Sequence, residues 1–416
     1  MNFLRGFSLN AASTGLVFVL GLLNQSLLGK ALSNEDFGRL RWWGTTAMLG
    51  ALVFGEWLNK GNAYAAGKGA ARGKLAGNTL VYALILGIAL TGGVLTAGAG
   101  AYFPPAEAQY WLLLAGLIAL LVLQKAFDSI FLGQDRLKPY SLLPVLFICC
   151  YLGGNLLVLK KWEGGLDGVL VVWVASTGLI TLAGLGLLRR GQGLGVDRQL
   201  WRQLREVGGR GGVSVILVYL LFRSDQYLVA HLIGDAALGV YSVAVTFAEM
   251  MQRLPNVAGA VLLPRVIRGQ GGEGELSLRV ARNILLFSLL CALGLAAAGK
   301  VLIALFFPKY PEAYLPLLWM LPGLVISGFG SVFNTRLAGQ GYPPITLWAP
   351  ALALALNIAL NLALIPTLGL KGAALSTSLA YGLWGLLAAG RCLRQLGCSW
   401  GAFLRGKVSP PSIEKP

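Results

Sequence analysis

The sequence predicts an all-α polytopic membrane protein with twelve transmembrane helices in two six-helix bundles related by a parallel internal repeat. Of the 416 residues, 56% are hydrophobic and only 12% are charged, against about 25% charged residues in a soluble domain. Apolar runs long enough for a helix to cross a bilayer, which takes about 20 residues, recur along the whole length. They are too long for barrel strands of about 10 residues. Finally, segments of the first half reappear in the second half.

Twelve apolar spans fall between Ala11 and Leu396, and most connections between them are short. The second span is expected to begin near Arg41 and the seventh near Gly211. The first follows only Arg5 and precedes no convincing cleavage site, so we interpret it as a retained helix. We therefore predict an N-terminal lobe (1–188), a basic cytoplasmic linker (189–210), a C-terminal lobe (211–396) and a cytoplasmic tail (397–416).

The distribution of basic residues predicts the orientation. Of the 34 Lys and Arg residues, 23 fall at the termini and in every second connection, 8 fall on the other side, and Lys125, Arg223 and Arg253 lie inside spans. Because basic residues accumulate on the cytoplasmic side of a membrane, both termini are expected in the cytoplasm. The formal net charge of +17 has the same explanation, and a nucleic-acid partner is not expected. Six Trp residues near span ends are interpreted as interfacial anchors: Trp42, Trp43, Trp111, Trp162, Trp173 and Trp400.

The two halves of the chain share three short patterns in the same order. The copies lie about 201 to 206 residues apart, close to half the chain. Six helices separate the copies, so both halves should have the same orientation, as in transporters built from parallel repeats. The matching pairs are Leu28–Trp42 with Val229–Val243, Gly133-Gln134 with Gly339-Gln340, and Gly165–Gly168 with Gly369–Gly372.

Four charged residues lie deep inside the predicted hairpin of spans seven and eight: Arg223, Asp225, Glu249 and Arg253. A charge near the centre of a bilayer costs about 2.5–3.5 kcal/mol, so these side chains should face other helices or a water-filled cavity. Glu249 and Arg253 are four residues apart and can pair, or Arg253 can be shared with a substrate phosphate. Arg223 and Asp225 do not face each other. We expect Arg223 to bind substrate, and Asp225 either to bridge to Arg253 or to hold a proton or cation.

Further candidate residues for the cavity lie outside this hairpin. Lys125 and Asp128 are three residues apart, and Lys125 can pair with Asp128 or snorkel. Asn24, Asn357 and Asn361 suit either interhelical hydrogen bonds or contacts with sugar hydroxyls. No cofactor or resident metal is expected, because the five cysteines form no CxxC pattern and His231 is the sole histidine.

No ATP-binding motif accompanies these candidates. The glycine-rich stretch GGRGGVS at 208–214 lacks the Lys-Ser/Thr pair of a P-loop. The energy for transport should therefore come from a proton or sodium gradient, from consumption of the substrate on the far side, or from a partner protein.

Three stretches resemble a known family. They are LLGKALSNEDFGRLRW (27–42), FRSDQYLVAHLIGDAALGVYSVAVTFAEMMQRLPNVAGAVLLPRV (222–266) and LAGQGYPPITLWAPALALALNIALNLALIPTLGLKGAALSTSLAY (337–381). They are similar to bacterial oligosaccharide flippases, the polysaccharide exporters of the multidrug/oligosaccharidyl-lipid/polysaccharide (MOP) superfamily.

The resemblance implies a V-shaped, two-lobed bundle in the bacterial plasma membrane. By alternating access it would pass an undecaprenyl-diphosphate oligosaccharide across the bilayer for cell-surface polysaccharide synthesis. Membrane lipids and a polymerase or glycosyltransferase are the implied partners, and no enzymatic activity is expected of the chain itself.

The charges in the predicted spans keep a second function open. Such flippases are expected to have a cationic cavity. Here, however, the predicted spans contain three basic residues and four acidic ones, Glu56, Asp128, Asp225 and Glu249. A cation-coupled drug or small-metabolite antiporter of the same superfamily is therefore the alternative. A polytopic glycosyltransferase or polymerase fits less well, because the external connections are too short for a catalytic loop.

Overall fold

The computed structural model describes residues 3–100, 107–134, 136–161, 164–190, 193–267, 272–340 and 343–406. Regular secondary structure in these ranges is helical, and a short 3-10 helix, Pro311–Ala313, accompanies the α-helices. The α-helices are α1 Phe3–Ala31, α2 Asn34–Gly67, α3 Arg72–Ala99, α4 Ala108–Gly133, α5 Leu137–Lys161, α6 Gly165–Arg189, α7 Arg198–Leu232, α8 Asp235–Ile267, α9 Glu273–Phe306, α10 Tyr314–Gly339, α11 Ile345–Leu368, α12 Leu370–Gln395 and α13 Trp400–Arg405.

Twelve of these helices are long, and within the described ranges ten are both long and apolar enough to cross a membrane. The other two, α2 and α8, contain charged residues such as Glu56 and Glu249 along their length. The predicted all-α polytopic membrane fold is confirmed.

Contacts divide the chain into two compact units, Met1–Ile216 and Leu217–Pro416, called unit 1 and unit 2. In unit 1, α4 packs on α2, α3 and α6, and α5 packs on α6. In unit 2, α10 packs on α8, α9 and α12, and α11 packs on α12. Helices α2 to α6 thus have their counterparts six helices later, in α8 to α12, as a parallel repeat requires.

The repeated patterns adopt the same local structure in both units. Gly165 at the start of α6 and Gly369 just before α12 have positive φ angles of 52° and 59°, a region that favours glycine. Gln134 and Gln340 end α4 and α10 with nearly equal dihedral angles, φ −87° and −82° with ψ 8° and 7°. The internal repeat predicted from these residues is confirmed.

The second helix begins seven residues earlier than expected, because Ser33 caps it. The Ser33 hydroxyl accepts a hydrogen bond from the Asp36 backbone N–H at 3.0 Å, and two acidic residues, Glu35 and Asp36, occupy the first turn. Both features stabilise a helix N-terminus. Arg41, predicted at the edge of the span, therefore lies two turns inside α2.

The seventh helix also begins early, at Arg198 instead of near Gly211. Its N-terminus is capped by Asp197, whose carboxylate accepts a hydrogen bond from the Gln199 N–H at 3.0 Å. Inside unit 1, Trp201 lies 6.3 Å from Trp57 between ring centroids, and Leu204 is buried. Tertiary packing thus overrides the low helix propensity of the glycine-rich stretch, and most of the predicted linker 189–210 is helical.

Candidate functional site

The hairpin of α7 and α8 in unit 2 carries a charged pair. The Arg223 guanidinium lies 2.6 Å from a Glu249 carboxylate oxygen, and the two side chains remain 22% and 41% exposed. Arg223 also lies over the Tyr219 ring, 5.8 Å from its centroid. Arg223 thus has Glu249 as its ion-pair partner, across the hairpin. Because the pair is partly exposed, the guanidinium can exchange Glu249 for an anionic ligand.

Asp225 lies in a separate, fully enclosed polar cluster. Only 1% of the residue is exposed. Its Oδ2 accepts hydrogen bonds from the Tyr241 hydroxyl at 2.6 Å and the Thr377 hydroxyl at 2.8 Å, while Oδ1 accepts one from the Gln226 N–H at 2.8 Å. Helices α7, α8 and α12 thus converge on one carboxylate. Hydrogen bonds of this kind offset the cost of burying a charge.

The asparagines of α11 join the same stretch of α7. The Ser224 hydroxyl donates to Asn357 Oδ1 at 2.8 Å, and Asn361 Nδ2 donates to the same oxygen at 2.8 Å. Both asparagines are fully buried. Asn357 Nδ2 and Asn361 Oδ1 are buried without a hydrogen-bond partner, which is costly unless a ligand or water satisfies them.

The two remaining predicted residues are Arg253 and Lys125. Arg253 is exposed on α8, one turn beyond Glu249. Lys125 belongs to α4 of unit 1, where it interacts electrostatically with Glu56 and with Asp128. Glu56 pairs with Lys60 at 3.2 Å and accepts a hydrogen bond from Asn59 at 3.1 Å. The structure therefore places six of the seven predicted residues in unit 2, on α7, α8 and α11, and the seventh, Lys125, in unit 1.

Unit 1 contains a neutral counterpart of the Asp225 cluster. Asn155 Nδ2 on α5 donates to Asn24 Oδ1 on α1 at 2.9 Å, and both residues are buried. By the repeat offsets, Asn24 corresponds to Asp225 and Asn155 to Asn361. Asn24 therefore forms the interhelical hydrogen bond that was one of its two predicted roles, and the carboxylate occurs in the second copy of the site.

Sequence reasoning missed three residues of the site: Ser224, Tyr241 and Thr377. Tyr241 lies 16 residues after Asp225 across the hairpin turn, and Thr377 lies 152 residues away. A hydroxyl on an apolar helix is common and gives no signal by itself. The pairing of Tyr241 with Asp225 could have been tested from the hairpin geometry, whereas nothing in the sequence places Thr377 beside them.

The oxygen donors around Asp225 suit a small hard cation. Such ions prefer oxygen ligands, and Asp225 offers a carboxylate with the hydroxyls of Tyr241 and Thr377 beside it. Among the described residues, no group of three or more His, Cys, Asp or Glu side chains could hold a metal ion. A carboxyl group such as that of Asp225 can take up and release a proton, and its pKa depends on these surroundings.

The sequence matches the model of a protein family. The family is described as polysaccharide biosynthesis protein, and the match covers residues 3–270. The chain belongs to the polysaccharide biosynthesis protein family. The predicted membership of this exporter family is confirmed. No curated protein sequence matches the chain significantly.

Solved structures of MOP transporters share the fold. The lipid II flippase MurJ, in an inward closed conformation, superposes with a TM-score of 0.76 at 16% identity, over 95% of this chain and 89% of MurJ. An inward-facing multidrug resistance MATE transporter of the MOP superfamily gives 0.68 at 15% identity, over 91% and 94% of the two chains. A variant of the Vibrio cholerae MATE transporter VcmN gives 0.65 at 17% identity, over 94% and 97%.

These likenesses show that the chain has the same fold as these proteins. The fold is shared by a lipid II flippase and by multidrug transporters. The side chains of this polysaccharide biosynthesis protein, and not its fold, therefore decide which substrate it binds.

Proposed function

We propose that this protein translocates a lipid-linked oligosaccharide, carried on undecaprenyl diphosphate, across the bacterial plasma membrane by alternating access. The observation that supports it most is the Arg223–Glu249 pair on helices α7 and α8 of a polysaccharide biosynthesis protein. A diphosphate needs a cation within the membrane, and arginine binds phosphate through two parallel hydrogen bonds. Arg253, exposed on the same hairpin, is the second proposed ligand of the head group.

The first experiment compares cells that lack the protein with cells that carry Arg223→Gln, Arg253→Gln or both. Mass spectrometry of lipid extracts should show undecaprenyl-diphosphate oligosaccharide trapped in the deletion strain and in the double variant, with surface polymer lost. Exposed Arg279→Gln, which breaks a pair between neighbouring turns of α9 at 2.8 Å, is the control and should export normally. Normal export by the double variant would exclude these arginines as head-group ligands.

We further propose that Asp225 couples transport to an ion gradient. Its enclosure among hydroxyl donors supports a site for a proton or for Na⁺. For the purified full-length protein, the unfolding midpoint should rise when choline chloride is replaced by NaCl at constant ionic strength, or it should depend on pH. Asp225→Asn should remove that response, while exposed Glu312→Gln keeps it. Equal responses in both variants would leave Asp225 a structural residue.

The proposed orientation places both termini in the cytoplasm, as the 23 to 8 distribution of Lys and Arg indicates. The oligosaccharide would then enter at the end of the bundle where α3, α5 and α7 begin. A polymerase or glycosyltransferase that consumes or supplies the same lipid-linked substrate is the proposed partner.

A cation-coupled antiporter for drugs or small metabolites is the second candidate. The enclosed acid Asp225, the even balance of charges in the spans and the MATE fold likeness favour it. The deletion strain distinguishes the two proposals. An antiporter predicts unchanged surface polymer and no trapped lipid-linked sugar, with increased sensitivity to cationic drugs.

A further inference from the structure

Four aromatic side chains form one continuous wall at an end of unit 1. Trp42 and Trp43 on α2 lie 5.1 Å apart between ring centroids. Trp111 on α4 lies 6.0 Å from Trp42 and 5.2 Å from Trp43, and Tyr110 lies 6.2 Å from Trp43. We call these four residues the aromatic wall.

The wall borders the hydrophobic core of unit 1, against which Trp43 and Trp111 pack. All four side chains are of intermediate exposure, so ring surface remains accessible. Tryptophans that anchor a helix at the membrane interface lie with the ring at the level of the lipid head groups. Here the three indoles touch each other edge to face across two helices, which is the favoured geometry of aromatic clusters. The arrangement holds the rings in fixed positions instead of leaving each free to follow the lipid.

Charged groups of both signs surround the wall. The Tyr110 hydroxyl donates to Asp167 Oδ1 at 2.7 Å, and Asp167 is an exposed residue in the first turn of α6. One turn before Trp43, Arg39 pairs with Glu35 at 2.7 Å, and their side chains are 51% and 58% exposed. These charged residues, which we call the rim, therefore offer both hydrogen-bond donors and acceptors beside accessible aromatic faces.

This composition selects one class of ligand. A phosphate would require an excess of cations, and an acyl chain would gain nothing from Asp167, Arg39 or Glu35. A pyranose ring has an apolar face of C–H groups that stacks on an indole, together with hydroxyls that both donate and accept hydrogen bonds at its edge. Aromatic surface bordered by mixed polar groups complements both parts of a sugar.

We propose that the aromatic wall binds the glycan of the transported substrate, stacking one or two pyranose rings on Trp42, Trp43 and Trp111 while Asp167 and Arg39 contact hydroxyls. The inference rests on the proposed flippase function and names the part of the substrate that unit 1 recognises. The wall lies where α2 and α4 begin, the end that the basic-residue distribution assigns to the outer side. The site would therefore hold the sugar as it leaves.

The test uses the full-length protein in lipid nanodiscs and two probes. One is the free oligosaccharide released by mild acid from the lipid-linked pool of the producing cells, and the other is undecaprenyl phosphate without sugar. Binding is measured by saturation-transfer NMR and by calorimetry. Trp43→Leu removes one ring, Trp43→Phe retains an aromatic face, and Asp167→Asn removes the charge at the rim. Trp348→Leu, at a residue of α11 that is 72% exposed, is the matched control.

Loss of one stacked ring should weaken binding of the free oligosaccharide about two- to tenfold. Trp43→Leu and Asp167→Asn should both show the loss, Trp43→Phe should recover most of it, and Trp348→Leu should bind as the unchanged protein does. Binding of undecaprenyl phosphate should be the same in all variants. The Asp167→Asn result keeps the proposal testable if Trp43→Leu fails to fold.

Two results would overturn the inference. Unchanged oligosaccharide binding in folded Trp43→Leu and Asp167→Asn would make the wall an interfacial anchor only. Failure of the unchanged protein to bind the oligosaccharide would also reject it. Neither result decides the proposed flippase function, which depends separately on the lipid-linked sugar trapped in the deletion strain.

Discussion

At the residue scale, three consecutive side chains of α7 have three different kinds of partner. Arg223 pairs with a carboxylate, Ser224 with an amide and Asp225 with two hydroxyls. A helix turns about 100° per residue, so consecutive side chains point in different directions. One turn of α7 therefore serves both a partly exposed ion pair and an enclosed acid, and these can bind different ligands.

The hydroxyl of Tyr241 should matter more for stability than an ordinary tyrosine hydroxyl. Tyr241→Phe removes a 2.6 Å hydrogen bond to the buried Asp225 carboxylate, and we expect a loss of about 1–2 kcal/mol in the free energy of unfolding. Tyr314→Phe is the control, because its hydroxyl donates to the neutral Ala296 carbonyl at 2.7 Å. It should cost about half as much. Equal losses in denaturant unfolding of the purified protein would contradict a special role for Asp225.

At the scale of the helix, glycines determine how closely α10 and α12 approach. A Cβ atom on Gly330 would meet the Cα atom of Gly385 at 2.3 Å, and one on Gly323 would meet the Ser378 carbonyl oxygen at 2.3 Å. In a membrane the hydrophobic effect does not drive helices together. Small residues at such interfaces favour helix association because they allow close van der Waals packing.

Gly330→Ala should therefore separate these helices. We expect a loss of about 1–3 kcal/mol, typical of overpacking a tight interface, measured as a lower unfolding midpoint in detergent. Gly294→Ala is the matched control, since a Cβ there meets nothing within 4 Å. Alanine has the higher helix propensity, so this control should be neutral or slightly stabilising. A neutral Gly330→Ala would show that the contact relaxes without cost.

The connection between α6 and α7 is held against α3. Asn78 Nδ2 donates to the Asp197 carbonyl at 2.9 Å, and the Asp197 N–H donates to Asn78 Oδ1 at 2.8 Å. Lys74 Nζ lies 3.1 Å from Asp197 Oδ2. The hydrogen bond from Lys74 is the main reason that the pKa of Asp197 lies below its ordinary value. The attachment also fixes the N-terminal cap of α7.

Acid should loosen this attachment. Because the pKa of Asp197 is lower in the folded protein than the unfolded value of about 3.9, its stabilising effect is present above about pH 4 and is lost as the pH falls through the folded pKa. Hydrogen exchange of the Asp197 amide, corrected for the intrinsic rate, should lose protection below pH 4. In Asp197→Asn the same amide should lack this pH dependence. Constant protection down to pH 3 in the unchanged protein would refute the expectation.

At the scale of the whole molecule, a repeated fold carries unequal chemistry. Both units share the helix packing order and the glycine turns, yet Asn24 and Asn155 form a neutral pair where unit 2 has Asp225 and two asparagines. The fold is therefore duplicated, whereas the enclosed acid belongs to the second copy.

The orientation of the molecule can be checked directly. A green fluorescent protein fused after Pro416 should fluoresce, because it folds in the cytoplasm, and an alkaline phosphatase fused at the same place should be inactive. A phosphatase inserted at the α1–α2 turn, beside Ser33, should be active. The expectation follows from the excess of basic residues on the side of the termini, and reversed activities would invert the proposed direction of transport.

Helix positions and the repeat could be predicted from the sequence because each depends on local patterns. Length and hydropathy define membrane helices, and the glycines at 165 and 369 indicate turns from the local sequence alone. The starts of α2 and α7 were misjudged because the cap at Ser33 and the packing of Trp201 on Trp57 outweigh the local polarity and the glycine content.

The sequence by itself determined the membrane class, the number of long helices, the two related halves and the charged residues that lipid cannot accept. Only the tertiary structure decided their partners: Glu249 beside Arg223, and Tyr241 and Thr377 on Asp225. The reason is physical. Hydropathy is a property of each segment alone, whereas a buried charge is satisfied by whichever donors the packing of distant helices brings within about 3 Å.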